Sequence, residues 1–170
     1  LAISPKGNRM TKKAATPETP IRILKIATCS TLSGRSQLTY QVGRNAESEV
    51  FIRVTQNSGN GQFNSDWIPL VTIEKLLTAH PADKPMSSRV LLPVFRSKSS
   101  NSPAFLFACL LAEGLVKAGA EKDSAYLLGD VEIFKQGMAA LIAAGTDLTV
   151  ATDTPSEPPK AKRPAKANTK

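Results

Sequence analysis

The sequence predicts an α+β protein: a four-stranded antiparallel β-meander, a short helix, and a C-terminal helical segment packed on the sheet. Three observations predict it. Between residues 21 and 70, apolar and polar residues alternate in short runs separated by Gly, Ser and Asn, as half-buried strands joined by turns do. Between residues 103 and 145, apolar residues recur at helical spacing. Residues 1–20 and 149–170 are rich in Lys, Pro, Ala and Thr and have little to bury, so both ends read as disordered. The 170-residue chain is therefore expected to hold one domain over 21–148, made of a ββββα unit (21–80), a connector (81–102) and a helical part (103–148).

The first strand is expected within Ile21 to Leu32, and Ser33-Gly34-Arg35-Ser36 turns it back. Leu38, Tyr40 and Val42 face one side of the second strand, with Gln37, Thr39 and Gln41 on the other. Gly43-Arg44-Asn45 begins the next turn. In the third strand Val50, Ile52 and Val54 oppose Glu49, Phe51, Arg53 and Thr55. Asn60-Gly61 predicts a tight hairpin, because both residues tolerate positive φ, and a fourth strand over about Gln62 to Leu70. Thr72 is placed to cap a helix carrying Ile73, Leu76 and Leu77, which His80-Pro81 ends.

Pro81, Pro85 and Pro93 punctuate the connector, so its apolar residues, Val90 to Leu92 with Val94 and Phe95, suit an edge strand or a packed link. Ser102-Pro103 is a cap followed by proline at the first helical position. Phe105, Ala108, Cys109, Ala112, Leu115 and Val116 form one face of the helix that follows, with Leu106, Phe107, Leu110 and Leu111 widening it, and Gly119 ends it. Ser124 to Leu128 suits a short turn of helix or a strand. Asp130 caps a last helix with Val131, Phe134, Met138, Leu141 and Ile142 inward, and Gly145 closes it.

The net charge of +8 is unevenly placed. Residues 1–25 carry six basic residues and one acidic, residues 151–170 five and two, and residues 26–150 eleven of each. The body is neutral and the ends are basic. Flexible cationic ends attract polyanions through counterion release and also aid solubility. The C-terminal end resembles the Lys/Ala/Pro tails of DNA-compacting proteins in composition. The chain begins with Leu, and Met10-Thr11-Lys12-Lys13 looks like a natural start, so residues 1–9 read as an upstream extension without a role.

Little in the sequence suggests catalysis. His80 is the one histidine, and Cys29 and Cys109 stand too far apart in sequence for a metal-ligand pattern. The cysteines read as small buried hydrophobes in a protein of the reducing cytoplasm, and a Cys–His dyad has no local support. The glycine turns match no phosphate-binding loop. The longest apolar run, Ala104 to Ala112, has nine residues, too few to span a membrane. No enzyme activity, metal, cofactor or small-molecule substrate is therefore expected.

One constellation suggests binding. Arg35, Arg44 and Arg53 are the basic residues of the meander after residue 26, and Phe51 shares a strand face with Arg53. Arginine beside an aromatic on a polar sheet face can pair with phosphates and stack on bases of single strands. Trp67 is assigned to partly buried core. The ββββα order over about residues 21–80 resembles the single-stranded-DNA-binding coactivator fold in element order, and that resemblance implies single-strand binding on the sheet. The reading that follows is a non-enzymatic nucleic-acid-associated protein of bacterial type. Arg35, Arg44, Phe51 and Arg53 on the sheet, and Lys160, Lys162, Arg163 and Lys166 in the tail, would make the contacts. The alternative is a protein-interaction or assembly module, self-associating, with the tails for solubility.

Overall fold

The computed structural model of the protein describes residues 20–95, 100–120 and 125–149. The architecture is α+β. Strands β1 (Arg22–Ser30), β2 (Gln37–Arg44), β3 (Val50–Asn57) and β4 (Ile68–Pro69) form an antiparallel sheet in chain order. Gly34 makes the first turn at φ +69°, donating its N–H to the Thr31 carbonyl at 2.8 Å. At the second turn the Asn45 side chain accepts from the Glu49 N–H at 2.9 Å and donates to the Glu49 carboxylate at 2.7 Å. Leu24 is an extra residue in β1, since Ile23 faces Gly43 while Lys25 faces Val42.

The fourth strand is much shorter than the sequence predicts, and Asn60-Gly61 closes no two-residue hairpin. Tertiary contacts override the local signal. The Asn57 side chain accepts from the Gly59 N–H at 3.0 Å and donates to the Gly61 carbonyl at 3.1 Å, turning the chain as β3 ends. The next residues are then drawn away from β3. Phe63 packs on Phe105, ring centroids 6.3 Å apart, and the Asn64 N–H donates to Ser102 Oγ at 2.8 Å.

Helix α1 (Leu70–Ala79) begins before Thr72, with Pro69 in the cap position, because β4 runs directly into it. Leu70, Ile73 and Leu77 are buried, and extended His80 before Pro81 ends the helix as the sequence predicts. The connector is a packed link. Ser88–Phe95 winds into a 3-10 helix containing Pro93, with Leu91 and Phe95 inward.

Helix α2 (Ser102–Ala112) is the central core helix, with Asn101 rather than Ser102 in the cap position and no capping bond from its side chain. It stops well before Gly119. Gly114 adopts φ +77°, its N–H bonds the Leu111 carbonyl at 3.2 Å, and the Leu115 N–H bonds the Leu110 carbonyl at 2.9 Å. These bonds satisfy the last carbonyls of the helix and turn Leu115 into the core. Ala112 is exposed, against expectation, because it lies on the far side of that last turn. Val116 instead opens β5 (Val116–Ala118), which pairs with β6 (Tyr126–Leu128) in a two-stranded hairpin.

Helix α3 (Val131–Ala143) keeps its predicted caps: Asp130 accepts from the Ile133 N–H at 3.1 Å, and Gly145 follows at φ +69°. Phe134 and Met138 are buried, while Val131, Leu141 and Ile142 are partly so. The core lies between the helices and one sheet face, the face of Leu24, Leu38, Tyr40, Val42, Ile52 and Val54. Among the described residues no helix is long and apolar enough to cross a membrane.

Candidate functional site: the sheet faces, the open edge and a buried polar cluster

The sheet face turned away from the helices carries Gln41, Gly43, Phe51 and Arg53, by the alternation that sends Val42 and Ile52 to the core. It is not an open stacking platform. Trp67 lies across it. A Cβ on Gly43 would sit 3.0 Å from the Trp67 ring, 2.5 Å from Ile21 and 2.8 Å from the Arg22 carbonyl, so a glycine is what lets these groups close over the sheet. Phe51 is only 4% exposed and Ile23 3%, both outside the main core. Arg53 donates to Gln41 Oε1 through Nε (3.0 Å) and Nη2 (2.8 Å), and its guanidinium lies 4.3 Å from the Trp67 ring centroid. Burial pulls the Arg53 guanidinium below its ordinary value, and the π-face of Trp67 offsets part of that cost.

The other sheet arginines lie elsewhere. Arg35 is exposed in the β1–β2 turn. Arg44 ends β2 at its opposite end, roughly 25 Å along the strand, and its parity puts it on the core side. There its Nη1 donates to the Asn45 carbonyl at 3.4 Å. Arg53 and Phe51 are thus brought together on one strand, while Arg35 and Arg44 join neither them nor each other. Lys160, Lys162, Arg163 and Lys166 lie outside the described residues.

The free edge of β1 is divided. At one end the chain returns after α3 and covers it: the Leu148 N–H donates to the Ile23 carbonyl (2.7 Å), the Ile23 N–H to Thr149 Oγ1 (3.0 Å), and Arg22 pairs with Asp147 at 2.9 Å. From Lys25 to Ser30 no strand pairs with that edge among the described residues. Ile26, Thr28 and Ser30 are exposed there, as is Leu32 just beyond, and no charged residue lies between Lys25 and Arg35.

On the core side, one polar cluster is buried at the end of α2. Glu113 follows the last residue of that helix, and its side chain is 5% exposed. Tyr40 Oη donates to Glu113 Oε1 at 2.5 Å, and Lys25 Nζ lies 2.7 Å from Oε1 and 2.9 Å from Oε2. Burial first, and then the bond to Glu113, push the Tyr40 hydroxyl well above the ordinary phenol range. Beside this cluster the Cys29 and Cys109 sulfurs lie 3.9 Å apart. Nothing local in the sequence pairs residues 80 positions apart, so this contact and the role of Glu113 were not legible. The parity of β1 places Cys29 on the side of Leu38, which is the one clue available.

His80 stands apart from both cysteines' contact and bonds the Lys84 carbonyl through Nε2 at 3.3 Å. The groove it borders, of about 510 Å³, has neither cysteine nor carboxylate in its lining. A second groove of about 540 Å³ runs between α1 and α3 over Leu70, Val71, Met138 and Ile142, flanked by the Glu74–Lys135 ion pair at 2.6 Å. Among the described residues no group of three His, Cys, Asp or Glu side chains is placed to hold a metal ion. Compared with protein-family models, with curated proteins and with solved structures, the chain matches none of them.

Proposed function

We propose that the protein is an interaction or assembly module whose β1 edge pairs with the same edge of a second copy. The observation that carries this reading is the Lys25–Ser30 edge: unpaired among the described residues and bordered by exposed Ile26 and Leu32. Proteins guard such edges with charge, proline or cover; from residue 26 to 32 this one has neither charge nor proline, and no strand covers it among the described residues. Two β1 strands meeting antiparallel are self-complementary, so a two-fold axis satisfies both edges at once. The test is molar mass by light scattering across a concentration series. Wild type should pass from monomer to dimer. Ile26→Lys and Thr28→Lys, which put like charges against each other across the axis, should remain monomeric. A wild type that stays monomeric at the highest concentration refutes the reading. An unchanged dimer in both variants moves the interface off this edge.

A second reading rests on the charge distribution, with a neutral body between basic ends. Nucleic acid would then bind through the ends, without sequence preference. Removing residues 151–170, which contain five basic residues, should weaken binding to all oligonucleotides alike and flatten its dependence on salt. Full-length protein that binds no oligonucleotide at low salt ends this reading. Arg53→Ala separates a sheet-face contribution: a loss confined to single strands supports one, and no loss assigns binding to the ends.

A further inference from the structure

We propose that Cys29 and Cys109 are a paired thiol site that closes to an intramolecular disulfide on reaction with a small organic disulfide. The sulfurs already touch, at 3.9 Å, although 80 residues separate them in the chain. A disulfide requires about 2.05 Å, so closure asks for an approach of about 1.9 Å. In the monomer the strand that must move is the one free to do so. Cys29 lies on the β1 edge, where β2 is its one strand partner among the described residues. Cys109 sits in the central helix and is fully buried.

This placement gives the two thiols different tasks. Cys29 is half-buried and open to a reagent, whereas Cys109 is not. The Cys109 S–H is placed to donate to an ionised Cys29, and this holds the Cys29 thiol below its ordinary value against burial and the nearby Glu113 carboxylate. Cys109 is pushed the other way, first by that same hydrogen bond and then by burial. Lys25 and Tyr40 both bond Glu113 beside the sulfurs. Cys29 is therefore the attacking thiol and Cys109 the resolving one.

In the first step Cys29 thiolate attacks one sulfur of the small disulfide. A mixed disulfide forms on Cys29, the reagent's S–S bond breaks, and one thiolate leaves with the electron pair and takes up a proton. In the second step Cys109 attacks Cys29 Sγ, and its proton passes to the departing small thiolate. The 29–109 bond forms, the Cys29–reagent S–S bond breaks, and the second small thiol departs carrying that proton. The protein loses two electrons and two protons, and the small disulfide becomes two thiols. The product fastens the sheet edge to the central helix across the 80-residue separation.

The experiment equilibrates the full chain with oxidised and reduced glutathione at graded ratios, quenches with acid, alkylates with N-ethylmaleimide and reads intact mass and peptide maps. Wild type should lose both alkylatable thiols together, yield a linked 29–109 peptide and fall in mass by about 2 Da. Its melting temperature should rise by about 10 °C on oxidation. Cys109→Ser should stop at one glutathionyl group on Cys29, and Cys29→Ser should stay unmodified while folded. Three results overturn the proposal: both thiols still alkylatable at the most oxidising ratio, a wild type that stops at the mixed disulfide, or a Cys29–Cys29 link between copies. If Cys109→Ser does not fold, the wild-type peptide map decides alone: a 29–109 link supports the site and its absence refutes it.

Discussion

The two faces of the sheet are built on different principles. The inner face is covered by three helices and the 3-10 turn, and its side chains belong to one continuous apolar core. Among the described residues the outer face is covered only in part, by Trp67 and Ile21 closing over Gly43 beside Ile23 and Phe51. On the inner face Tyr40 and Lys25 both bond a buried carboxylate, whereas the outer face holds Arg53 between an amide oxygen and an aromatic ring. The difference shows what a covering layer does. Deep in the core the Tyr40 hydroxyl is held by a bond to a carboxylate, while a thin cover lets a charged group stay half in water.

Four substitutions test this contrast, from the largest effect, in the deep core, through two of similar size, to the smallest. Phe107→Ala empties a position with no exposure, where the ring meets Tyr126 edge-on at 5.0 Å between centroids. It should cost about 3–5 kcal/mol in urea unfolding. A loss near 1 kcal/mol would mean that the inner core repacks easily, and the contrast between the faces would weaken.

Gly43→Ala probes the outer cover. The added methyl would meet the Arg22 carbonyl, a backbone atom, at 2.8 Å, as well as Ile21 and Trp67. The expected cost is about 1–3 kcal/mol, with a change in Trp67 fluorescence, because the indole must move. Unchanged fluorescence and stability would show that Trp67 does not rest on the sheet.

Tyr40→Phe removes the buried hydroxyl from Glu113 and should cost about 1.5–3 kcal/mol at neutral pH, the range for a bond to a charged group. It should also change the alkaline limb. The folded-state value of Tyr40 lies above its ordinary value of 10. Its contribution is therefore complete below about pH 10 and is lost as pH rises through the folded value, because the unfolded chain releases the proton first. Wild type should lose stability above about pH 10 more steeply than the variant, read as the difference between the two unfolding curves. Parallel curves would place the hydroxyl in water.

The smallest effect belongs to Arg53→Ala, which removes a half-exposed cation–π contact and the bonds to Gln41. About 1 kcal/mol is expected in the same assay. A cost above about 3 kcal/mol would make the outer face a second true core.

Much of the fold was legible from local chemistry. Alternation at Leu38, Tyr40 and Val42 and at Val50, Ile52 and Val54 assigns the inner face, because side chains on a strand point to opposite sides in turn. Gly34 and Gly145 mark real left-handed positions, and Asp130 caps the helix that it precedes. The end of α2 was legible in principle too, in Gly114 followed by apolar Leu115, but the apolar pattern continuing to Val116 hid it.

The candidate site was less legible. Alternation correctly pairs Phe51 with Arg53 on one face, yet it cannot tell an open face from one covered by a residue arriving from beyond β3. Trp67 does that, and it leaves Phe51 buried. Arginines at both ends of β2 look like one basic set in the sequence, and the length of the strand separates them.

What the sequence by itself determined is the class of the fold, the strand faces and the caps, because periodicity and φ preference act over a few residues. Only the tertiary structure decided how short β4 is, where Trp67 lies, and that Cys29 meets Cys109 beside Glu113. Those outcomes turn on which distant segments pack together. That choice is made by burial and loop closure across the whole domain, and no local pattern carries it.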